Sequence, residues 1–145
     1  MTKTPTPRVR ALVYERDGHT CVASHPAVMR GFMLCDSVLT LQHRIGRGSG
    51  GSRLPGINQP GNLITMCFTH NLLIERDATF KAYALSRGWS LPRLRKPALV
   101  PAEIPVMYPD GPYLVDDDGG RESIPLAFAR ELWEVFGLTR FGVAA

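Results

Sequence analysis

Two residues in the middle of the chain, His43 and His70, are of a type that could do proton-transfer or metal chemistry. His43 follows an alternating apolar run that starts at Leu39 and is typical of a β-strand. His70 lies just after a second apolar run, in the first turn of a predicted helix. Because an unperturbed imidazole titrates near neutral pH, such a residue can accept a proton or bind a metal ion.

A glycine-rich loop separates the two histidines. Residues 44–61 contain six glycines and three arginines, which excludes a helix or a central strand. A long loop in a compact domain is usually either functional or disordered. The arginines Arg44, Arg47 and Arg53 are candidates for contacts with DNA phosphates, since guanidinium groups bind phosphate oxygens well. The alternative is that these arginines only face solvent.

The elements around this loop can be predicted from local signals. Thr6 and Pro7 are typical of a helix start, and this helix should end near Arg16, before a glycine. Residues 38–42 and 63–67 are predicted strands. A helix capped by Thr69 should then run to about residue 87.

The last third of the chain differs in charge and in pattern. Residues 1–100 carry 14 Lys and Arg against 5 Asp and Glu, whereas residues 101–145 carry 3 against 8. A turn signal at residues 109–111 predicts a hairpin, and an amphipathic helix is predicted at residues 125–136. We therefore predict a basic domain over residues 1–100, which would face a polyanion, and an acidic extension over residues 101–145.

Composition excludes several classes of protein. The chain holds three cysteines, an odd number that argues against a disulfide framework and favours metal ligation or simple burial. No apolar run is long enough to cross a bilayer, and the first ten residues lack the hydrophobic stretch of a signal peptide. We expect a protein of the cytoplasm that has no membrane partner.

Three segments together resemble the HNH endonucleases, and most of all the short HNH proteins of bacteriophages: RDGHTC, LQHRIGRGSGGS and NLITMCFTHNLLIE. The resemblance covers about residues 8–90. It implies an α+β fold with a ββα-metal core, preceded by an N-terminal helix and followed by a hairpin-plus-helix extension. It also implies that His43 is the general base, that Asn62 holds the loop or the His43 ring, and that His70 binds a divalent metal.

Two positions depart from the family pattern. Gln42 stands where the family commonly has Asp or His, and Asn71 stands where its last metal-binding His is expected; an amide oxygen is a weaker ligand than a carboxylate. We favour His70 as a ligand of the catalytic metal, with Gln42 and Asn71 as further ligands. The alternative is that His70 completes a structural zinc site and that the catalytic metal relies on Gln42 and Asn71. The partners of His70 in that zinc site would be Cys21, Cys67, and either His25 or Cys35.

The function that the resemblance implies is metal-dependent hydrolysis of DNA phosphodiester bonds, with Mg²⁺, Mn²⁺, Ni²⁺ or Zn²⁺ as the cofactor. A phage setting would also suggest a terminase or another packaging protein as a partner. The alternative function is a nucleic-acid-binding or zinc-stapled interaction module that kept an HNH-like finger and lost catalysis. Gln42 and Asn71 are the residues that favour this alternative.

Overall fold

A computed structural model describes residues 4–24, 34–48 and 54–139. Within these ranges the chain forms four α-helices and two small antiparallel sheets, which confirms the predicted α+β class. None of these helices is long and apolar enough to cross a membrane. The strands are β1 (Leu39–His43) and β2 (Leu63–Cys67) in one sheet, and β3 (Val106–Tyr108), β4 (Gly111–Val115) and β5 (Arg121–Ser123) in the other.

The first and last helices match their predictions closely. The helices are α1 (Pro7–Arg16), α2 (Phe68–Arg76), α3 (Ala78–Ser86) and α4 (Leu126–Val135). The Thr6 hydroxyl caps α1 by accepting a hydrogen bond from the Val9 N–H. This contact leaves fewer backbone N–H groups unpaired at the helix start, as the Thr-Pro signal predicts.

The prediction of a single helix from Thr69 to about residue 87 is wrong. Asp77 has an extended backbone that ends α2, and its carboxylate accepts a hydrogen bond from the Phe80 N–H at the start of α3. The N-cap of α2 is Cys67 instead of Thr69. An aspartate three residues before a helical N–H is itself an N-cap signal, and here it divides an otherwise continuous apolar pattern.

The two-stranded sheet determines where the candidate residues lie. β1 and β2 pair antiparallel, so that His43 faces Leu63 at one end and Leu39 faces Cys67 at the other. Because α2 starts directly after Cys67, it turns back and runs alongside β1, where the Asn71 side chain donates to the Thr40 hydroxyl. The sheet thus has a loop end at His43 and a helix end at Cys67.

The segment after residue 100 packs onto the preceding part of the chain. Val106 and Val115 share a buried cluster with Ile64 of β2 and Phe80 of α3. The Trp133 indole of α4 is fully buried and donates to the Pro105 carbonyl. The predicted boundary at residue 100 therefore does not separate two hydrophobic cores.

The C-terminal hairpin has a third strand that was not predicted from the sequence. β5 pairs with β4, and all three of its residues are exposed. Because a short strand of charged and small polar residues has no apolar alternation, it lacks the usual strand signal.

A buried polar network joins α1 to this hairpin. The Asp17 carboxylate accepts hydrogen bonds from the Arg16 guanidinium at 2.8 Å and from the Tyr108 hydroxyl at 2.6 Å. It also accepts from the Thr65 N–H of β2. The carboxylate therefore connects three elements, and its charge is compensated by the adjacent guanidinium.

Candidate functional site

The two candidate histidines belong to different centres at opposite ends of the two-stranded sheet. Four residue steps along β1 separate its ends, which is roughly 13 Å for an extended strand. His43 lies at the end where the glycine-rich loop leaves, whereas His70 lies just beyond Cys67 at the helix end. One metal ion therefore cannot bind both residues in this fold.

The centre at the helix end consists of Cys21, Cys35, Cys67 and His70. Their ligand atoms all lie within 4.8 Å of one another. The Nδ1 atom of His70 is 3.2 Å from the Cys67 Sγ, 3.4 Å from the Cys35 Sγ and 3.7 Å from the Cys21 Sγ. All four residues are buried except Cys35, which is partly exposed. We call these four residues the Cys₃His centre.

Local structure explains how residues so distant in sequence meet. Cys67 and His70 are three residues apart at the start of α2, which places both on one side of the helix. Cys21 is brought beside β2 because its neighbour Val22 donates a backbone hydrogen bond to the Thr65 carbonyl. The Asp36 carboxylate, next to Cys35, accepts a hydrogen bond from the Thr69 N–H and so fixes the segment that carries Cys35.

The electrostatics of the Cys₃His centre suit a cation. A hydrogen bond from the Cys21 thiol, together with those from His70, lowers the pKa of Cys67 to about 4. The same contact with Cys67, together with burial, raises the pKa of Cys21. Burial also raises the pKa of Cys35. The thiols thus share one readily formed thiolate, and three sulfurs with one imidazole nitrogen are the donor set that tetrahedral Zn²⁺ prefers.

This placement corrects the favoured prediction for His70. Its Nδ1 faces three thiols, and its ring stacks on Phe80 at a centroid distance of 5.4 Å. It does not line the groove that holds His43. The alternative prediction, a site built from cysteines and His70, describes the geometry, with Cys35 in the position that was left open between Cys35 and His25. His25 lies outside the described residues.

The centre at the loop end is an open groove of about 520 Å³ between β1, α2 and the start of the glycine-rich loop. Many of the residues that line this groove have polar side chains that could contact a phosphate or a cation. Two charged residues of the lining, Glu75 and Lys81, were not predicted as site residues. The polar residues that line it are Gln42, His43, Arg44, Arg47, Asn71, Glu75, Lys81 and Ser90.

His43 is held in the groove by a contact that the sequence did not predict. Its Nε2 lies 2.8 Å from the Oδ1 of Asn58, near the far end of the loop. Burial lowers the pKa of His43, the Asn58 contact raises it, and the positive charge of Arg47 lowers it further. The net effect is a pKa below the ordinary value of 6.5, so the imidazole is neutral at pH 7 and can accept a proton.

Asn62 holds the loop, as one of the two predicted roles requires, and the hydrogen bonds of its side chain go to the loop backbone and not to His43. Its side-chain oxygen accepts from the Ile45 N–H at 2.8 Å, while its NH₂ group donates to the carbonyls of Ile45 at 3.1 Å and Ile57 at 2.9 Å. Asn62 is 2% exposed. It therefore closes the loop by tying the residues after His43 to those before β2.

The predicted metal ligands Gln42 and Asn71 present oriented amides. The NH₂ group of Asn71 donates to the Thr40 hydroxyl at 2.8 Å, and that of Gln42 donates to the Trp89 carbonyl at 3.3 Å. Within the part of the chain that the structure describes, no hydrogen bond occupies the amide oxygen of either residue. Both residues line the groove.

Glu75 is a carboxylate of the groove that was not predicted as a site residue. Four residues of helix advance about 6 Å, close to the roughly 6.6 Å of two strand residues. Since Asn71 contacts Thr40, this spacing brings Glu75 to the level of Gln42, and both residues line the groove. Its place one helical turn after Asn71 is the sequence signal that could have identified it.

Three arginines were predicted to contact DNA, and for Arg44 this prediction is wrong. Arg44 is fully buried and donates hydrogen bonds to four backbone carbonyls, so its guanidinium cannot reach a phosphate. Arg47 is partly exposed and lines the groove, where contact with DNA stays a prediction. Arg53 lies outside the described residues.

Comparison of the chain with protein-family models, with curated proteins and with solved structures finds no match. Function therefore has to be inferred from the two centres themselves. The groove brings together His43, Gln42 and Asn71, whereas the cysteines hold His70 elsewhere.

Proposed function

We propose that this chain is a metal-dependent endonuclease of the HNH kind that hydrolyses phosphodiester bonds in DNA. The observation that carries this proposal is the content of the groove at the loop end. A neutral imidazole, three side chains with oxygen donors, and two cationic side chains line one open cavity of about 520 Å³. Phosphodiester hydrolysis requires a base, charge neutralisation and access for an extended polymer, and the groove offers all three.

His43 is the general base in this proposal. With its proton on the Nε2 that faces Asn58, the imidazole keeps a lone pair on Nδ1. Nδ1 takes a proton from a water molecule, and the water oxygen forms a bond to phosphorus. The bond between phosphorus and the 3′ oxygen breaks on the opposite side, and the 3′ oxygen takes up a proton from solvent. The products carry a 5′ phosphate and a 3′ hydroxyl.

Three side chains would hold a divalent cation beside the base: Gln42, Asn71 and Glu75. Their donors are two amide oxygens and one carboxylate, which suit Mg²⁺ or Mn²⁺ better than they suit a soft metal. When bound, the cation neutralises charge on the phosphate and on the departing oxygen. Glu75 adds the negative charge that Gln42 and Asn71 lack.

Arg47 and Lys81 would attract and position the phosphate. Burial lowers the pKa of Lys81, whereas the negative charge of Glu75 raises it. The charge of the whole region favours the same ligand, since residues 1–100 carry 14 basic against 5 acidic side chains. Binding to a polyanion should consequently weaken as salt concentration rises.

The order of elements supports the same family. An antiparallel strand pair followed directly by a helix, with the candidate base at the end of the first strand, is the arrangement that the HNH resemblance implies. In this proposal the Cys₃His centre binds a structural zinc ion that joins the segment after α1, the segment before β1 and the start of α2. This zinc ion stabilises the fold and takes no part in hydrolysis.

The test is nicking of supercoiled plasmid DNA by zinc-loaded protein in Mg²⁺, Mn²⁺ or Ni²⁺. We expect His43→Asn to lower the rate by about 10²–10⁴-fold, the usual contribution of a general base. The matched control is His19→Asn, since His19 is exposed and has a positive φ of 53° that asparagine tolerates. Cleavage by His43→Asn at the rate of the control would remove His43 from the reaction.

The alternative function makes a different prediction in the same experiment. A nucleic-acid-binding module would show salt-sensitive DNA binding and no nicking with any of the three metals. A zinc-stapled interaction module would contain zinc and bind no DNA. The amides at positions 42 and 71 favour these alternatives, and the carboxylate of Glu75 favours catalysis.

The role of Glu75 can be measured separately from activity. We expect Glu75→Gln to weaken binding of Mn²⁺ to zinc-loaded protein, as followed by electron paramagnetic resonance of the free ion. Glu15→Gln is the matched control, because Glu15 is exposed on α1. Equal Mn²⁺ affinity in the two variants would exclude Glu75 as a ligand.

A further inference from the structure

The contact between His43 and Asn58 determines the position of the ring and also which of its nitrogens carries the proton. Asn58 Oδ1 is a hydrogen-bond acceptor, and it lies 2.8 Å from His43 Nε2. A neutral imidazole has one N–H, which must therefore be on Nε2 for this bond to form. The other nitrogen, Nδ1, then holds a lone pair and is the only atom of the ring that can accept a proton.

Hydrogen bonds hold the backbone on both sides of Asn58. The turn that contains it is closed by a hydrogen bond from the Gln59 N–H to the Gly56 carbonyl at 3.0 Å. Gly56 has a φ of +78°, a conformation that glycine adopts without strain. The neighbouring Ile57 carbonyl accepts from Asn62, which also binds both backbone groups of Ile45, two residues after His43.

Asn62 and Asn58 therefore have different tasks: Asn62 holds the two ends of the loop together, and Asn58 contacts the His43 ring. Asn62 fixes the distance between the two ends of the loop, at Ile45 and at Ile57. Asn58 then makes the hydrogen bond to the His43 ring, while the side-chain hydrogen bonds of Asn62 go to Ile45 and Ile57. The asparagine that the HNH resemblance identifies thus acts beside a second asparagine, four residues before it.

We propose that Asn58 is the positioning residue for His43, fixing the Nε2–H tautomer so that the Nδ1 lone pair faces the groove. The proposal deepens the proposed nuclease function and rests on it for its catalytic meaning. A neutral acceptor suits the task, because an amide orients the ring without adding a charge beside the phosphate. Hydrogen bonds of this kind commonly set which nitrogen of a histidine is available for chemistry.

The test compares three variants as zinc-loaded protein. Asn58→Leu has a similar size and no acceptor, Asn58→Asp keeps an acceptor oxygen at the same place, and Gln59→Leu is the control at an exposed position of the same turn. The first measurement is ¹⁵N nuclear magnetic resonance of the imidazole nitrogens, which distinguishes the two tautomers of His43. The second is the rate of plasmid nicking over a range of DNA concentrations.

We expect the wild type, Gln59→Leu and Asn58→Asp to show the Nε2–H tautomer, and Asn58→Leu to show a mixture. The kcat of Asn58→Leu should fall by about 10²-fold, a loss that a misplaced catalytic group commonly causes, with little change in KM. An Nδ1–H tautomer in the wild type, or a pure Nε2–H tautomer in Asn58→Leu, would overturn the proposal.

Failure of the proposed nuclease function gives a different result. A wild type that nicks no DNA in any metal, with DNA binding intact, overturns that function. The tautomer measurement does not depend on cleavage, so it still decides whether Asn58 sets the state of His43.

Discussion

Replacement of Arg44 by methionine should destabilise the fold and leave the groove chemically intact in the protein that remains folded. The guanidinium donates from Nε to the Gly88 carbonyl at 2.8 Å and from Nη1 to those of Gly61 at 3.0 Å and Pro101 at 2.8 Å. From Nη2 it donates to the Ile104 carbonyl at 2.6 Å. Methionine fills a similar volume and donates no hydrogen bond.

The magnitude follows from these four bonds. At about 1.5 kcal/mol each, the low end for a charged donor, they contribute roughly 6 kcal/mol. Removal of the buried charge returns part of its desolvation cost, so the net loss should be about 3–5 kcal/mol. For a chain of this length we expect a fall in Tm of about 10–15 °C. This is a large fraction of the stability of an ordinary domain.

Thermal and urea unfolding followed by circular dichroism measure this loss, and fluorescence anisotropy measures the affinity for a DNA duplex at two salt concentrations. Arg44→Lys tests the geometry, because lysine keeps the charge but has one nitrogen instead of a planar fork. We expect it to lose most of the same stability. Arg47→Met is the control for the unfolding measurement, since Arg47 lies on the same loop and is partly exposed. Its DNA affinity should fall, because Arg47 is proposed to contact the phosphate.

If Arg44 bound a phosphate instead of the four carbonyls, the opposite results would be expected. In that case Arg44→Met would unfold within about 1 kcal/mol of the wild type, as surface substitutions usually do, and its DNA affinity would fall with a smaller salt dependence. That outcome would refute the structural role of Arg44.

Three further predictions concern other parts of the chain. Burial raises the pKa of Tyr108 above its ordinary value of 10, so its contribution to stability should be lost as pH rises above about 10, where the unfolded chain ionises first. Tyr108→Phe should be less stable at pH 7 by about 1–3 kcal/mol, because Asp17 loses a buried donor, and its stability should fall less steeply at alkaline pH in urea titrations. Removal of zinc from the Cys₃His centre by a chelator should lower Tm and release one metal ion per chain, as measured by mass spectrometry of the metal; an unchanged Tm after complete removal would contradict a structural zinc site. Gly88→Ala should cost more than about 2 kcal/mol by thermal unfolding, since Gly88 has a φ of +72° and an added Cβ would lie 1.8 Å from the Pro105 carbonyl oxygen; a variant as stable as the wild type would show that this backbone can shift.

The sequence predicts those elements whose signals are local. Thr6 and Pro7 indicate the start of α1, and alternation of apolar residues indicates β1 and β2. From the HNH resemblance, Asn62 was predicted to hold either the loop or the His43 ring, and its three hydrogen bonds hold the loop. In each case the residues that decide the structure are close in sequence or belong to a recognisable motif.

The features that were missed depend on contacts between distant residues. Arg44 was predicted to contact DNA because guanidinium groups bind phosphates well, whereas its carbonyl partners in the fold lie up to 60 residues away. Cys35 could not be chosen over His25 because the segment between them has no periodic pattern. Glu75 joins the groove only once α2 runs along β1, and Asn58 reaches His43 only once the loop folds back over it.

The carbonyl partners of Arg44 also bear on how the chain folds during synthesis. Two of the four, Pro101 and Ile104, belong to the acidic extension that was predicted to be separate. Because a protein leaves the ribosome from its N-terminus, β1 and the glycine-rich loop emerge well before these partners exist. The Arg44 guanidinium stays hydrated until residue 104 has emerged from the ribosome. The basic part of the chain therefore completes its fold only after synthesis of the acidic part has begun.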